Sequence, residues 1–188
     1  MKLKSLVIAV LALSATGAMA GEIVYSNVNA ANVANTAAGL GSSALQNIGV
    51  AEQNGKIRNS SVSVNGAYNT SAGLGSSAKQ NIGYAKDNGR IEQSQVRAYG
   101  VVNTAAGLGT SAKQQIGFAE QNGRVLNSTV QATAATNTAA GLGSSATQEI
   151  GGAANNGLLQ NSSVYATGAY NTSGGLGSSA TQRVGVAR

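Results

Sequence analysis

The side chains that could do chemistry in this chain are amides and hydroxyls that recur at a fixed interval. The chain contains no Cys and no His, which removes thiol and imidazole nucleophiles and the usual zinc and haem ligands. Its 6 acidic residues are scattered along the sequence. We therefore expect no enzymatic activity and no bound cofactor or metal. Hydrogen bonding remains, because an amide stacked on an identical amide can donate to one neighbour and accept from the other.

Two columns of amides and three columns of apolar residues share a spacing of 34 residues. The amide columns are Gln46, Gln80, Gln114, Gln148 and Gln182, and Asn35, Asn69, Asn103, Asn137 and Asn171. The apolar columns are Val28, Val62, Val96, Val130 and Val164; Leu40, Leu74, Leu108, Leu142 and Leu176; and Ile48, Ile82, Ile116, Ile150 and Val184. We expect all of these columns to be self-assembly ladders, with the apolar columns filling the interior and the glutamines on the same face.

The columns belong to one repeated unit. Its marker, Asn-Thr-(Ala/Ser)-(Ala/Gly)-Gly-Leu-Gly-(Ser/Thr)-Ser-Ala-x-Gln, begins at Asn35 and returns at each 34-residue step without insertion or deletion. A fixed period of this size is typical of repeat architectures, in which each unit buries its apolar face against its neighbours. We assign five units, which cover residues 21–54, 55–88, 89–122, 123–156 and 157–188.

Strand patterning fits the unit better than helix. Gly costs about 1 kcal/mol in a helix interior relative to Ala, and Gly-Leu-Gly and Asn-Gly recur through the chain. Apolar or small residues instead alternate, as in a strand, at Val62, Val64, Gly66, Tyr68, Thr70, Ala72, Leu74, Ser76, Ala78, Gln80, Ile82 and Tyr84. We predict an all-β fold, a β-solenoid or stacked β-arcade of five 34-residue rungs that is cross-β on polymerisation.

Glycines indicate where each rung turns. Asn54-Gly55 and its copies are dipeptides that adopt positive φ at little cost, and Gly73-Leu74-Gly75 offers a second bend half a unit away. The alternation also slips near Asn59, Ser60 and Ser61, which predicts a third corner or a bulge. Rungs of two strands and rungs of three strands are both compatible with this pattern.

The first twenty residues differ in composition from the repeats. Lys2 and Lys4 precede an apolar run from Leu6 to Leu13, and Ala18-Met19-Ala20 fits a signal-peptidase site. The run is too short to cross a bilayer as a helix. We predict a secretory signal peptide over residues 1–20, export by the Sec route and no membrane insertion.

The charge of the chain gives little support to nucleic-acid binding. The formal net charge is +6, and the basic residues are spread along the repeats. Stacking of bases would require aromatic side chains, and the chain has 1 Phe, 6 Tyr and no Trp. We therefore expect no nucleic-acid partner.

The repeats resemble those of bacterial functional amyloid subunits, namely curlin and the Fap-type fimbrial subunits. The resemblance covers all five units and rests on richness in Gly, Asn, Gln, Ser and Ala, the absence of Cys, and amide columns around a small apolar core. Residues 34–39, Ala-Asn-Thr-Ala-Ala-Gly, are similar to the Fap motif Asn-x-Ala-Ala-Gly. Ser43, Gln46 and Gly49 are similar to the Ser, Gln and Gly positions of curlin.

The resemblance implies a secreted subunit that crosses an outer membrane unfolded and polymerises head to tail at the cell surface. Its fibres would serve biofilm matrix, adhesion or cell aggregation. Its partners would be identical subunits, a nucleator subunit and an outer-membrane export channel. The alternative is a discrete secreted β-solenoid that binds ice or glycans. Ice binding favours paired rows of threonine, whereas only the column from Thr36 to Thr172 is complete.

Overall fold

The computed structural model describes residues 21–188, and the predicted signal peptide, residues 1–20, lies outside the described residues. The described chain is all-β and contains no helix. It coils into a β-solenoid of about 5 turns, each of about 34 residues. The fold class predicted from the repeat is therefore confirmed.

Each turn of the solenoid contributes to three sheets whose strands are all parallel. The first sheet contains β1 (Glu22–Val24), β4 (Lys56–Arg58), β7 (Arg90–Glu92), β10 (Arg124–Leu126) and β14 (Leu158–Gln160). The second contains β2 (Asn27–Ala38), β5 (Ser61–Ala72), β8 (Gln95–Ala106), β11 (Thr129–Thr133), β12 (Thr136–Ala140), β15 (Ser163–Thr167) and β16 (Tyr170–Gly174). The third contains β3 (Ser43–Val50), β6 (Ser77–Tyr84), β9 (Ser111–Phe118), β13 (Ser145–Ile150) and β17 (Ser179–Val184).

The strand register stacks each residue on its counterpart one repeat away. Ile57 pairs with Ile91, Val62 with Val96, and Gln80 with Gln114. Neighbouring strands in a sheet lie about 4.8 Å apart. Each column of the sequence is therefore a ladder that runs along the solenoid axis.

Three corners close each turn. The first three turns contain three strands each, whereas the fourth and fifth contain four, because the middle strand is divided at Ala134 and at Gly168. The first corner is at Asn59, which adopts a φ of 49° between β4 and β5. The second is the arc of Gly73 and Gly75, with φ values of 135° and 64°. The third is the segment between the end of β6 and the start of β7. The slip of the alternation around Asn59 is thus a corner.

The Asn-Gly dipeptides at the third corner do not adopt the predicted positive φ. Gly55 and Gly89 lie outside the left-handed region. A Cβ on Gly55 would instead collide with the backbone nitrogen of Lys86 in the next turn, and a Cβ on Gly89 with that of Glu120. Glycine is required here because two turns approach too closely to leave room for a Cβ, and not because the backbone adopts a positive φ.

The long middle strand reverses its faces at Gly66. This residue has a φ of 72° and is left out of the otherwise continuous pairing of β5 with β8. Beyond it Ala67, Asn69 and Ser71 are fully buried. The expectation that Tyr68, Thr70 and Ala72 continue the inner face of Val62 is therefore wrong, because the bend shifts the alternation by one residue.

The interior is built from the valine and isoleucine columns. Val62, Val96 and Val130, together with Ile82, Ile116 and Ile150, have no exposed surface and form one continuous cluster with the alanines of the second sheet. Val28 and Val164, in the first and last turns, are only partly buried against this cluster. Val184 is 53% exposed. The core is thus sealed in the middle turns and open at both ends.

The leucine column does not fill the interior as the sequence suggested. The exposed fractions are 81% for Leu40, 49% for Leu74, 48% for Leu108, 51% for Leu142 and 82% for Leu176. Each leucine stands at the tip of the second corner between two glycines of positive φ, where the chain reverses and the side chain points to solvent. The column forms an exposed apolar ridge along the solenoid.

Candidate functional site

The glutamine column is a continuous hydrogen-bonded ladder inside the solenoid. The Nε2 of Gln80 donates to Oε1 of Gln46 at 2.6 Å, and Gln114 donates to Gln80 at 2.7 Å. Gln148 and Gln182 each donate in the same sense at 2.6 Å. Gln80, Gln114 and Gln148 are fully buried. The ladder satisfies amides that would otherwise be costly to bury.

The glutamines also join the third sheet to the second. Nε2 of Gln80 donates to the carbonyl of Ala67 at 3.2 Å, and Nε2 of Gln148 donates to the carbonyl of Ala135 at 3.0 Å. These carbonyls lie just beyond the bend in the middle strand. Gln80 and Gln148 therefore bridge two sheets within a turn while they link successive turns. Gln114 instead donates to the carbonyl of Thr136 in the following turn.

The asparagine column is a second internal ladder, and its side chains come from the second sheet, whereas the glutamines come from the third. Nδ2 of Asn69 donates to Oδ1 of Asn103 at 2.8 Å, and Asn103 donates in turn to Asn137 at 2.8 Å. Nδ2 of Asn69 also lies 3.0 Å from the carbonyls of Ala44 and Lys79 in the third sheet. Asn69, Asn103 and Asn137 are fully buried because the reversal at Gly66 turns this half of the strand inward.

The two amide ladders run in opposite directions. From Gln80 onward each glutamine donates to the glutamine oxygen of the preceding turn, whereas each asparagine from Asn35 to Asn137 donates to the asparagine oxygen of the following turn. At the first turn the amide nitrogen of Gln46 and the oxygen of Asn35 therefore end their ladders. At the fifth turn the oxygen of Gln182 and the amide nitrogen of Asn171 do so. The two ends carry complementary groups.

A serine column fixes the first corner. The backbone N–H of Ser60 donates to Oγ of Ser94 at 3.2 Å, and the hydroxyl of Ser94 donates to the carbonyl of Glu92 at 2.7 Å. The same contacts recur from Ser26 to Ser162. Polar groups exposed by the turn of the chain are satisfied by the same residue in each rung.

A fourth polar column, beside the glutamines, was not singled out from the sequence. Asn47, Asn81, Gln115, Glu149 and Arg183 occupy it, and Asn81 donates to Asn47 at 2.8 Å. The carboxylate of Glu149 is buried but accepts from Gln115 at 3.0 Å, from Arg183 at 3.1 Å and from Arg188. Strand alternation predicts that the side chains of this column point outward, because the glutamines next to them point inward. The residue type in the column also changes from unit to unit. The sequence therefore carries no signal that Glu149 is buried.

Burial and local ion pairs shift the pKa of a few charged groups. Loss of solvent lowers the pKa of Lys113 and raises the pKa of Glu120, both of which lie on the side of the solenoid near Glu149. A hydrogen bond from Lys56 lowers the pKa of Glu22. Among residues 21–188 no group of three acidic side chains could hold a metal ion.

The fold and these columns define a β-solenoid repeat protein whose interior carries two continuous amide ladders. Comparison with protein-family models, with curated proteins and with solved structures gives no match to the chain. In the part that the structure describes, no helix has the length and hydrophobicity needed to cross a bilayer.

Proposed function

We propose that this chain is a secreted structural subunit that stacks head to tail into extracellular fibres of the amyloid type. The fibres would serve biofilm matrix, surface adhesion or cell aggregation. A nucleator subunit and an outer-membrane export channel are the further partners of this proposal, and they rest on the resemblance to curlin and Fap-type subunits. The observation that carries the proposal is that the first and fifth turns end in complementary groups.

Unpaired strand edges support stacking at both ends. Among the described residues, β1, β2 and β3 pair only with the second turn, and β14 to β17 pair only with the fourth. Such edges present backbone N–H and C=O groups that template the addition of another strand. Because the register is constant along the solenoid, the fifth turn of one subunit offers the first turn of the next the same pairing that internal turns use.

The side chains at the ends support the same arrangement. A docked first turn would place the Gln46 amide against the Gln182 oxygen and the Asn35 oxygen against the Asn171 amide. Docking would also cover Val28 and Val164, which are only partly buried, whereas the valines of the same column in the internal turns are fully buried. In the column of Glu52, Lys86, Glu120, Ala154 and Arg188, the next residue would be Glu52 of the following subunit. The junction would therefore bring an acidic residue to Arg188.

Two variants that block opposite ends test the proposal. Val28→Lys and Val164→Lys place a cation in the inner column at one end, where it reaches solvent only if no turn docks there. Neither variant alone should form fibres, and an equimolar mixture should form dimers by joining the unblocked ends. Asn29→Lys and Tyr165→Lys, at exposed positions of the same strands, are the matched controls and should polymerise.

The readouts are electron microscopy, sedimentation and fibre diffraction, with circular dichroism to check that each variant keeps its β structure. The purified chain should give unbranched fibres with a spacing of about 4.8 Å along the axis. A chain that stays monomeric at high concentration would refute self-assembly. Dimers formed by either blocked variant alone would show a contact between two like ends, fifth turns for Val28→Lys or first turns for Val164→Lys, and would refute the head-to-tail arrangement.

A further inference from the structure

A groove with cationic and amide walls runs across several turns of the first sheet. One wall is the column of Asn54, Asn88, Asn122 and Asn156 at the third corner, and the other is Lys56, Arg90 and Arg124. The groove has a volume of about 470 Å³, and no acidic or aromatic side chain lines it. It lies on the outer surface, extends from Asn54 to Asn156, and contains no residue of the internal ladders.

The walls of the groove are held in place by the fold. The backbone N–H groups of Asn88 and Asn122 donate to carbonyls of the preceding turn at 3.0 Å and 3.1 Å. The Nδ2 of Asn88 donates to Oδ1 of Asn122 at 2.8 Å. Arg90 and Arg124 stand on paired strands in consecutive turns. The polar groups are therefore presented at the spacing of one turn rather than on a flexible loop.

The cations become less compensated along the groove. Lys56 pairs with Glu22 at 2.5 Å, and Arg90 lies 3.8 Å from Glu92. Arg124 makes no ion pair with any side chain among residues 21–188. The fourth turn thus holds a guanidinium whose five donors are open to an anion from solution.

We propose that this groove binds an extended, carboxylated polysaccharide. Cations on consecutive turns are about 4.8 Å apart along the axis, so a matching ligand carries negative groups at regular steps along a straight chain. A guanidinium fork binds a carboxylate through two parallel hydrogen bonds. The asparagine amides beside it can both donate to and accept from sugar hydroxyls.

Nucleic acid fits the groove less well than a uronic-acid polymer. Single strands are held by stacking of bases on aromatic side chains as well as by charge, and no aromatic residue lines this groove. The site also does not depend on the proposed polymerisation, because all of its residues lie within one subunit.

The test measures binding of polygalacturonate oligosaccharides to the chain carrying Val28→Lys, so that assembly does not contribute. Arg124→Gln should weaken binding about tenfold, the loss expected for one charge-assisted contact. Arg97→Gln, which removes the same charge from the exposed face of the second sheet, should leave the affinity unchanged. Asn88→Ala should also weaken binding without any change in net charge.

Neutral dextran and a single-stranded oligonucleotide serve as competing ligands. Dextran should not bind, and the oligonucleotide should bind more weakly than the oligouronate and without dependence on Asn88. Equal losses for Arg124→Gln and Arg97→Gln would show attraction by net charge alone and overturn the proposal. Tighter binding of the oligonucleotide, or equal binding of dextran, would overturn the choice of ligand. If the chain binds the oligouronate in the groove but never forms fibres, the proposed assembly is refuted and the groove proposal stands.

Discussion

Removal of one glutamine from the internal ladder should destabilise the solenoid far more than removal of its neighbour. Gln114 donates to Gln80 at 2.7 Å, accepts from Gln148 at 2.6 Å and is fully buried. In Gln114→Ala the oxygen of Gln80 loses its donor, and one N–H of Gln148 loses its acceptor. Each buried group left without a partner costs about 1–3 kcal/mol. The expected loss in the free energy of unfolding is therefore about 2–6 kcal/mol for the two groups together.

Two further variants distinguish the loss of the amide hydrogen bonds from the loss of side-chain volume and from a general effect of substitution in this strand. Gln114→Met keeps the length of the side chain but removes the amide, so it should retain most of the loss. Lys113→Ala removes the partly exposed side chain of the preceding residue, whose column also contains Leu45 and Thr147. Surface changes of this kind are usually within about 0.5 kcal/mol.

The measurement is urea denaturation of each variant in the assembly-blocked Val28→Lys background, followed by circular dichroism. Nearly all of the loss should appear in both variants at Gln114 and almost none at Lys113. Comparable losses at positions 113 and 114 would refute the inward ladder. A stable Gln114→Met variant would show that packing, rather than amide stacking, holds this column.

Two matched pairs test the rest of the architecture by the same urea measurement. Gly117→Ala should cost more than Gly109→Ala: both residues have positive φ, for which a side chain costs about 1–2 kcal/mol, but only a Cβ at Gly117 collides with Val130. Equal costs would mean that backbone strain alone fixes these glycines. Ile116→Ala should lose about 2–5 kcal/mol as a buried core truncation, whereas Leu108→Ala, on the exposed ridge, should lose about 1 kcal/mol or less. A larger loss at Leu108 would place the ridge in an interface.

The sequence was sufficient for the architecture because an uninterrupted period constrains every unit at once. A 34-residue step stacks each residue on its counterpart, so the solenoid and the burial of Val96 and Ile82 follow from the period and the apolar identity of their columns. The arc at Gly73 and Gly75 follows from the glycines. What the period does not reveal is the direction in which each side chain points within a turn.

That direction depends on single residues whose signals are weak. The reversal in the middle strand occurs at Gly66 and at equivalent positions occupied by Asn32, Gly100, Ala134 and Gly168, all of which have positive φ. Gly66 was counted as one of the small residues of the alternation, and the change from glycine to Asn and Ala in its column gives no consistent turn signal, so simple alternation was extended across the bend. The leucine column was placed inside because leucine is apolar, although its two flanking glycines put it at the tip of a corner.

The opposed amide ladders add an argument about how subunits could join. In a head-to-head contact the first turns of two subunits would meet, so the only free glutamine group available to Gln46 would be another amide nitrogen and the only free asparagine group available to Asn35 would be another oxygen. Polar groups held together without partners are costly, and the strands across such a contact would also lose the parallel register of the solenoid. Translation by one turn satisfies both ladders and all three sheets at once. If the proposed stack forms, its two ends are therefore chemically distinct, and the direction of growth is specified inside the subunit.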